Sequence, residues 1–304
     1  MEIDVPLVLA RWVHFLCLMI AFGASLFPFY ALPDGAKSEE ARALDVTDRR
    51  VRLAAYLALV SALVWIASSL ANMVGGFEEV LDLDALEAFF LETSFGPIWL
   101  VRLAILIALV IVLARMRRSR ARRLLSALLS AAALASQAWL GHAAMRTGTQ
   151  LEIELLSYVA HVLAAGAWIG GLFPLASLLT RRGSAETRTR SSECRAALRR
   201  FSTLGVIFVS LILLSGIANS VFRLRFSSDL FTTPYGLAIL VKASLFGLML
   251  IAAASNRWRL LPRLQSANEE TAFLALRRNI MIEQGLGVLV LGVAAILGTM
   301  APRA

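Results

Sequence analysis

The stretch YVAHVLAAGAWIGGL, Tyr158 to Leu172, sets one histidine in a run made almost entirely of apolar and small residues. With its apolar flanks, from about 153 to 179, it is long enough to cross a hydrocarbon core of about 30 Å as a helix. Similar runs recur along the chain, whose 304 residues are 59% hydrophobic with a mean hydropathy of +0.73. Soluble domains are nearer half apolar. In a bilayer every backbone polar group must be satisfied internally, so runs of this kind span as helices. The sequence therefore predicts an all-α polytopic membrane bundle of about eight spans. They run roughly over 6–31, 52–74, 97–114, 124–144, 153–179, 201–222, 235–255 and 279–300, within a single transmembrane domain covering 1–304. The first half spans about 6–144 and the second half about 153–304.

The formal net charge is +9. Nucleic acid is set aside as its cause, because the basic residues cluster beside the spans. Lys37, Arg42, Arg49, Arg50 and Arg52 follow the first span. Arg115, Arg117, Arg118, Arg120, Arg122 and Arg123 follow the third. The fifth is followed by Arg181, Arg182, Arg188, Arg190, Arg195, Arg199 and Arg200, and the seventh by Arg257, Arg259, Arg263, Arg277 and Arg278. The positive-inside bias predicts that these four loops are cytoplasmic and both termini periplasmic. The first run follows Glu2 and Asp4 rather than a basic segment, so it is expected to remain as a span rather than be cleaved as a leader. Segment 75–96 is the opposite of the basic loops. It holds Glu78, Glu79, Asp82, Asp84, Glu87 and Glu92 and no basic residue. Phe77, Leu81, Ala85 and Phe89 recur at near-helical spacing, which predicts a short amphipathic helix on the outer surface. It reads either as a solvated acidic loop or as a collector of cations. The two cysteines, Cys17 and Cys194, are too few for a disulfide framework or a thiolate metal cluster.

Ionisable groups within spans are expensive and usually face a bundle interior, a cavity or a partner. All three histidines fall in spans. At about 1.5 Å per residue, His14 and His161 each lie about 12 Å in from the outer side, while His142 is close to it. Arg11, Arg102 and Lys242 are also in outer halves, where each either snorkels outward or faces the interior. Residues three apart share a helix face. Arg11, His14 and Cys17 form one such stripe, and Trp139, His142 and Met145 another. Imidazole beside thiol or thioether suits a soft metal, with copper(I) the leading candidate, and Met300 sits at the outer end of the last span. The candidate metal ligands are thus His14, His142, His161, Met145, Cys17 and Met300. Against them stands the plainer reading of helix–helix hydrogen bonds and apolar filler. A haem b held between His14 and His161, matched in depth, is the alternative. Glu283 lies in the cytoplasmic half of the last span. It reads as a structural partner of Arg257 or as part of a proton or ion relay.

Three stretches in the second half carry a resemblance: HVLAAGAWIGGLFPL with His161, YGLAILVKASLFGLMLIAAASNRWRLLPRL with Lys242, Asn256 and Arg257, and RRNIMIEQGLGVLVLGVAAILGT with Glu283. The GHA around His142 and the RWVHFL around His14 add to it. Together they resemble the bacterial copper-resistance D (CopD) family of inner-membrane proteins. The resemblance implies copper binding and uptake from periplasm to cytoplasm, beside a small periplasmic copper-binding partner of the CopC type. It also carries a distant likeness to membrane cytochromes, which keeps the haem reading open. No P-loop motif is present. A transporter or metal-binding membrane protein is expected rather than an enzyme, with passage driven by a gradient or a coupled ion.

Overall fold

In the structure, a computed structural model, residues 4–32, 38–140, 149–179, 187–224, 228–264 and 269–300 are described. Among them there is no strand. The elements are α1 (Val5–Ala31), α2 (Ser38–Val74), a 3-10 turn (Phe77–Glu79), α3 (Leu83–Glu87), a π turn (Ala88–Glu92), α4 (Gly96–Arg115) and α5 (Arg120–Ala135), which tightens into a 3-10 segment (Ser136–Leu140). They continue with α6 (Thr149–Leu179), α7 (Thr187–Arg223), α8 (Asp229–Thr232), α9 (Pro234–Ser255), a π segment (Asn256–Leu260), α10 (Leu261–Arg263) and α11 (Glu269–Leu297). Eight stretches among the described residues are long and apolar enough to cross a membrane, from α1, α2, α4, α5, α6, α7, α9 and α11.

Local chemistry starts several of these helices. The Asp4 carboxylate accepts from Leu7 N at 3.0 Å, with a proline in the first turn of α1. Ser119 Oγ accepts from Arg122 N at 3.1 Å to cap α5, and Thr233 Oγ1 from Gly236 N at 3.0 Å to cap α9. Each cap satisfies a first-turn N–H that has no partner within its helix. The second span begins at Thr47 and the sixth at Cys194, earlier than hydropathy predicts, and the seventh runs on to Arg263. The polar, arginine-rich turns keep their helical hydrogen bonds while their side chains reach water, so an apolar window misses them.

The quoted stretch forms the centre of the bundle. Of its most apolar window, 83% is buried, against 6% for the span that includes α9. α6 packs on α1, α7 and α11, and α1 also meets α2 and α5. The crossing of α1 and α6 is close because glycines meet there. A Cβ added at Gly23 would lie 2.6 Å from the Gly170 backbone, and one at Gly170 would lie 2.9 Å from Gly23 Cα. Small residues at membrane interfaces allow this approach. Gly170→Leu is therefore expected to lower the melting temperature and folded yield in detergent by more than ordinary overpacking, about 1–3 kcal/mol, because backbone cannot rotate away. Gly205→Ala, where the added atom meets nothing within 4 Å, is expected to change neither.

The basic helix ends gather at one end of the bundle. Arg122 of α5 pairs with Asp48 of α2, Arg50 of α2 donates to Ser177 of α6 at 2.7 Å, and Arg195 of α7 reaches the Leu264 carbonyl at 3.5 Å. At the opposite end, Asn72 of α2 donates to Asp4 before α1. The acidic segment differs from the single amphipathic helix expected. Gly75, with φ 94°, ends α2, and the Asp82 carboxylate accepts from Asp84 N and Ala85 N, starting α3 afresh. The segment is thus split into a single turn, Phe77–Glu79, and a separate helical stretch from Leu83 to Glu92. Of the four apolar residues expected on one face, Phe89 is buried, while Phe77 and Leu81 are exposed.

Candidate metal site

His14 projects from α1 into the interface with α2, α4 and α5, and is fully buried. Its Nδ1 lies 2.9 Å from the Ala58 carbonyl and 3.3 Å from Ser61 Oγ on α2. A carbonyl only accepts, so Nδ1 carries the proton. Nε2 then accepts from the Arg102 guanidinium of α4 at 2.7 Å. Arg102, also fully buried, donates its other terminal nitrogen to the Ala133 carbonyl at 2.8 Å and Ser136 Oγ at 2.7 Å. Trp65 packs edge-on to His14 at 5.7 Å, and Trp99 edge-on to Trp65 at 5.0 Å. The guanidinium carbons of Arg11 and Arg102 lie 4.5 Å from the Trp65 ring centre and 5.2 Å from that of Trp99. Arg11 and Arg102 therefore face the interior rather than snorkelling. Both ring nitrogens of His14 are taken by protein groups, so ligation there requires displacing Arg102.

His161 is built differently. It projects from α6 toward α7, where Nδ1 lies 3.2 Å from the Ile212 carbonyl and 3.1 Å from Ser215 Oγ. The Ser215 hydroxyl donates to the Leu211 carbonyl, so its oxygen is free to accept. The carbonyl at Nδ1 fixes the neutral tautomer with its lone pair on Nε2. Among the described residues Nε2 has no hydrogen-bond partner. An imidazole held by a carbonyl at one nitrogen and open at the other is the usual setting of a metal-ligating histidine. Gly216 makes room for it, since a Cβ there would stand 3.4 Å from His161 Cε1. Lys242 of α9 and Arg223 of α7 are within electrostatic range of the ring, and Arg223 donates to Tyr235 Oη at 3.2 Å.

The expected ligands are thus distributed. His142 and Met145 lie outside the described residues. Cys17 is buried in the apolar core, and Met300 is half-buried in the turn after α11. The Arg11 guanidinium packs against Gly298 in that same turn. Among the described residues no three His, Cys, Asp or Glu side chains converge to hold a metal. A bis-histidine haem does not fit what is described: His14 Nε2 is occupied by Arg102, and the two histidines hydrogen-bond to different helices, α2 and α4 for one and α7 for the other.

At the basic end, Glu283 of α11 is 2% exposed. The pairing with Arg257 expected from their positions does not form. Arg257 donates to the Ser202 carbonyl at 2.9 Å and Ser202 Oγ at 3.0 Å. Glu283 Oε1 instead accepts from Asn256 Nδ2 at 2.6 Å, and Asn279 Nδ2 donates to Asn256 Oδ1 at 3.0 Å. Successive residues on a helix diverge by about 100°, so Asn256 faces α11 while Arg257 turns to α7. Asn256 also opens the π segment, a local widening common at functional positions. Sequence reading passed over Ser215, Gly216 and Ser61 as site-builders. For Ser61 and Ser215 the polar residue within an apolar run was a visible signal, and for Gly216 the small residue beside Ser215, but the facing helix was not visible.

Fold and site together define a multi-pass helical membrane protein that presents, among the described residues, one open imidazole inside the bundle, away from its basic end. The chain belongs to the copper resistance protein D family. Residues 1–153 match the model described as copper resistance protein D-like, N-terminal domain, and residues 195–297 match copper resistance protein D. It is 32% identical over 308 residues to copper resistance protein D of Pseudomonas syringae pv. tomato, covering 98% of this chain and 97% of that one. Inner membrane protein YebZ of Escherichia coli (strain K12) is 30% identical over 297 residues, with 96% and 97% covered. Copper transport protein CutJ of Bacillus subtilis (strain 168) is 29% identical over 235 residues, 76% of this chain and 41% of the relative. No solved structure matches.

Proposed function

We propose that this chain binds copper ions in the inner membrane and moves them from the periplasm to the cytoplasm, with His161 as the central ligand. The observation that carries the reading is the His161 ring, held at Nδ1 by the Ile212 carbonyl and open at Nε2. The family, with relatives named for copper resistance and copper transport, supports copper as the cargo. Thioether and imidazole donors from Met300, Met145 and His142 suit copper(I) and would complete the coordination from the outer side. His14, bonded to Arg102 and the Ala58 carbonyl, holds α1 to α2 and α4 rather than taking the ion. The cations near His161, Lys242 and Arg223, oppose a bound metal ion and keep its affinity low. A transported ion needs such a site, tight enough to capture and weak enough to release. The arginine-rich end supports a cytoplasmic placement for those loops and a periplasmic one for both termini. A small periplasmic copper-binding protein of the CopC type is the proposed donor.

With no P-loop motif in the sequence, a coupled ion is the proposed source of drive. Glu283 is the group best placed to serve it, as a buried carboxyl hydrogen-bonded by an amide and unpaired with Arg257. The test is copper(I) entry into proteoliposomes under an imposed pH gradient. Wild-type protein should accumulate copper. Glu283→Gln, which keeps the shape and an acceptor for Asn256, should lose most gradient-driven accumulation while binding copper in detergent as wild type does. Wild-type vesicles that take up no copper under either sign of gradient would overturn transport. Full uptake by the variant would remove Glu283 from the coupling.

A further inference from the structure

A cavity of about 180 Å³ opens at the basic end between α1, α2, α4 and α5, lined among others by Ser25, Asp48, Arg118, Arg122, Arg123 and Ser126. Three guanidinium groups face one carboxylate. Asp48 is engaged by Arg122, by Arg118 at 3.3 Å and by Arg52 at 3.5 Å, and among the described residues it is the one carboxylate lining the cavity. Donors are also left over. Ser126 is 1% exposed, and its Oγ has no hydrogen-bond partner among the described residues; the same holds for the buried Nε of Arg123. A buried donor left unmatched is destabilising, and an acceptor in the cavity would satisfy it. The start of α5 faces the same space, and the positive end of its dipole favours an anion there. Ser119, Arg122, Arg123 and Ser126 repeat at helical spacing, so one side of α5 presents the whole set.

We infer that this cavity binds a phosphate group, carried by an anionic phospholipid of the adjoining leaflet. Depth favours a lipid source over a soluble one. Ser126 lies about 9 Å along α5 from its first residue, a level where headgroups meet acyl chains. Next to it, Leu125 is 37% exposed on the flank of α5, where an acyl chain can lie. Basic pockets between membrane helices suit anionic headgroups for the same reasons. The inference stands apart from the copper reading and uses none of its residues.

The test takes the full-length protein, delipidated in detergent, and offers it phosphatidylglycerol, phosphatidylcholine or inorganic phosphate. Binding is read by native mass spectrometry and by melting temperature. Wild type should retain phosphatidylglycerol in preference to phosphatidylcholine and be stabilised by it. Arg123→Gln and Ser126→Ala should each weaken that binding about tenfold, the loss of one hydrogen bond to a charged group. Ser126→Ala removes only a hydroxyl and leaves the Asp48 pairs intact, so it reports even if the arginine variant folds poorly. Arg278→Gln, exposed on α11, should bind as wild type. Equal retention of the two lipids, or unchanged binding in both cavity variants, overturns the inference. Protection by inorganic phosphate with no lipid preference assigns the cavity to a soluble anion and overturns the lipid.

Discussion

His161→Ala is expected to abolish copper(I) binding by the purified protein while leaving it inserted and folded. The ring's only protein hydrogen bonds among the described residues are at Nδ1, at 3.1 and 3.2 Å, to a serine and a carbonyl that keep other partners. Hydrogen bonds between membrane helices average only about 0.6 kcal/mol, so removing the ring leaves the bundle nearly as stable. Binding behaves oppositely. A thioether is a weak ligand, and a site that loses its imidazole keeps no strong neutral donor on α6. Because ligation uses the neutral ring, copper affinity should also fall as pH drops through the protonation of the site. The measurements are copper content after equilibrium dialysis and melting temperature, for wild type and His161→Ala. Full copper occupancy in a folded variant would remove His161 from the site. Loss of the fold would make the histidine structural.

The bundle was legible in the sequence because hydrophobic length is a one-dimensional property. Each span from Val5–Ala31 to Glu270–Leu297 overlaps its predicted range, and errors sit where arginine-rich turns extend a helix beyond its apolar core. The charge asymmetry was equally readable, since Arg50, Arg122 and Arg195 do meet partners at one end. Which groups touch was not readable. His14 and His161 look alike by depth and isolation, yet one is saturated by Arg102 and a carbonyl and the other is open. That difference depends on helix rotation, and the apolar, nearly uniform surface of these spans leaves rotation unmarked. The Arg257–Glu283 pairing failed for the same reason. Proximity in depth was right, but a one-residue step sent Asn256 to the carboxyl instead. Spacing also suggested one short amphipathic helix carrying Phe77, Leu81, Ala85 and Phe89, whereas the side-chain cap of Asp82 starts a new helix after Leu81.

His14→Ala should unfold the protein rather than merely empty it. The ring is the only acceptor for one terminal nitrogen of Arg102, a fully buried cation with no acidic partner among the described residues. Removing it strands that charge, deletes the contact with Trp65 and leaves a cavity between α1 and α2. Breaking a buried polar pair from one side costs about 3–5 kcal/mol, a large part of the stability of a domain. Replacing both partners by apolar groups of similar size is far milder, since no charge is then left without solvation. The double variant His14→Phe with Arg102→Met is therefore expected to melt closer to wild type than His14→Ala does. It should also still bind copper, because His161 is untouched. Melting curves and copper content for the single and double variants separate the two roles. A stable His14→Ala protein that has lost its copper would make His14 a ligand after all. A double variant that restores both stability and binding would place it, with Arg102, in the frame that holds α1, α2, α4 and α5 together.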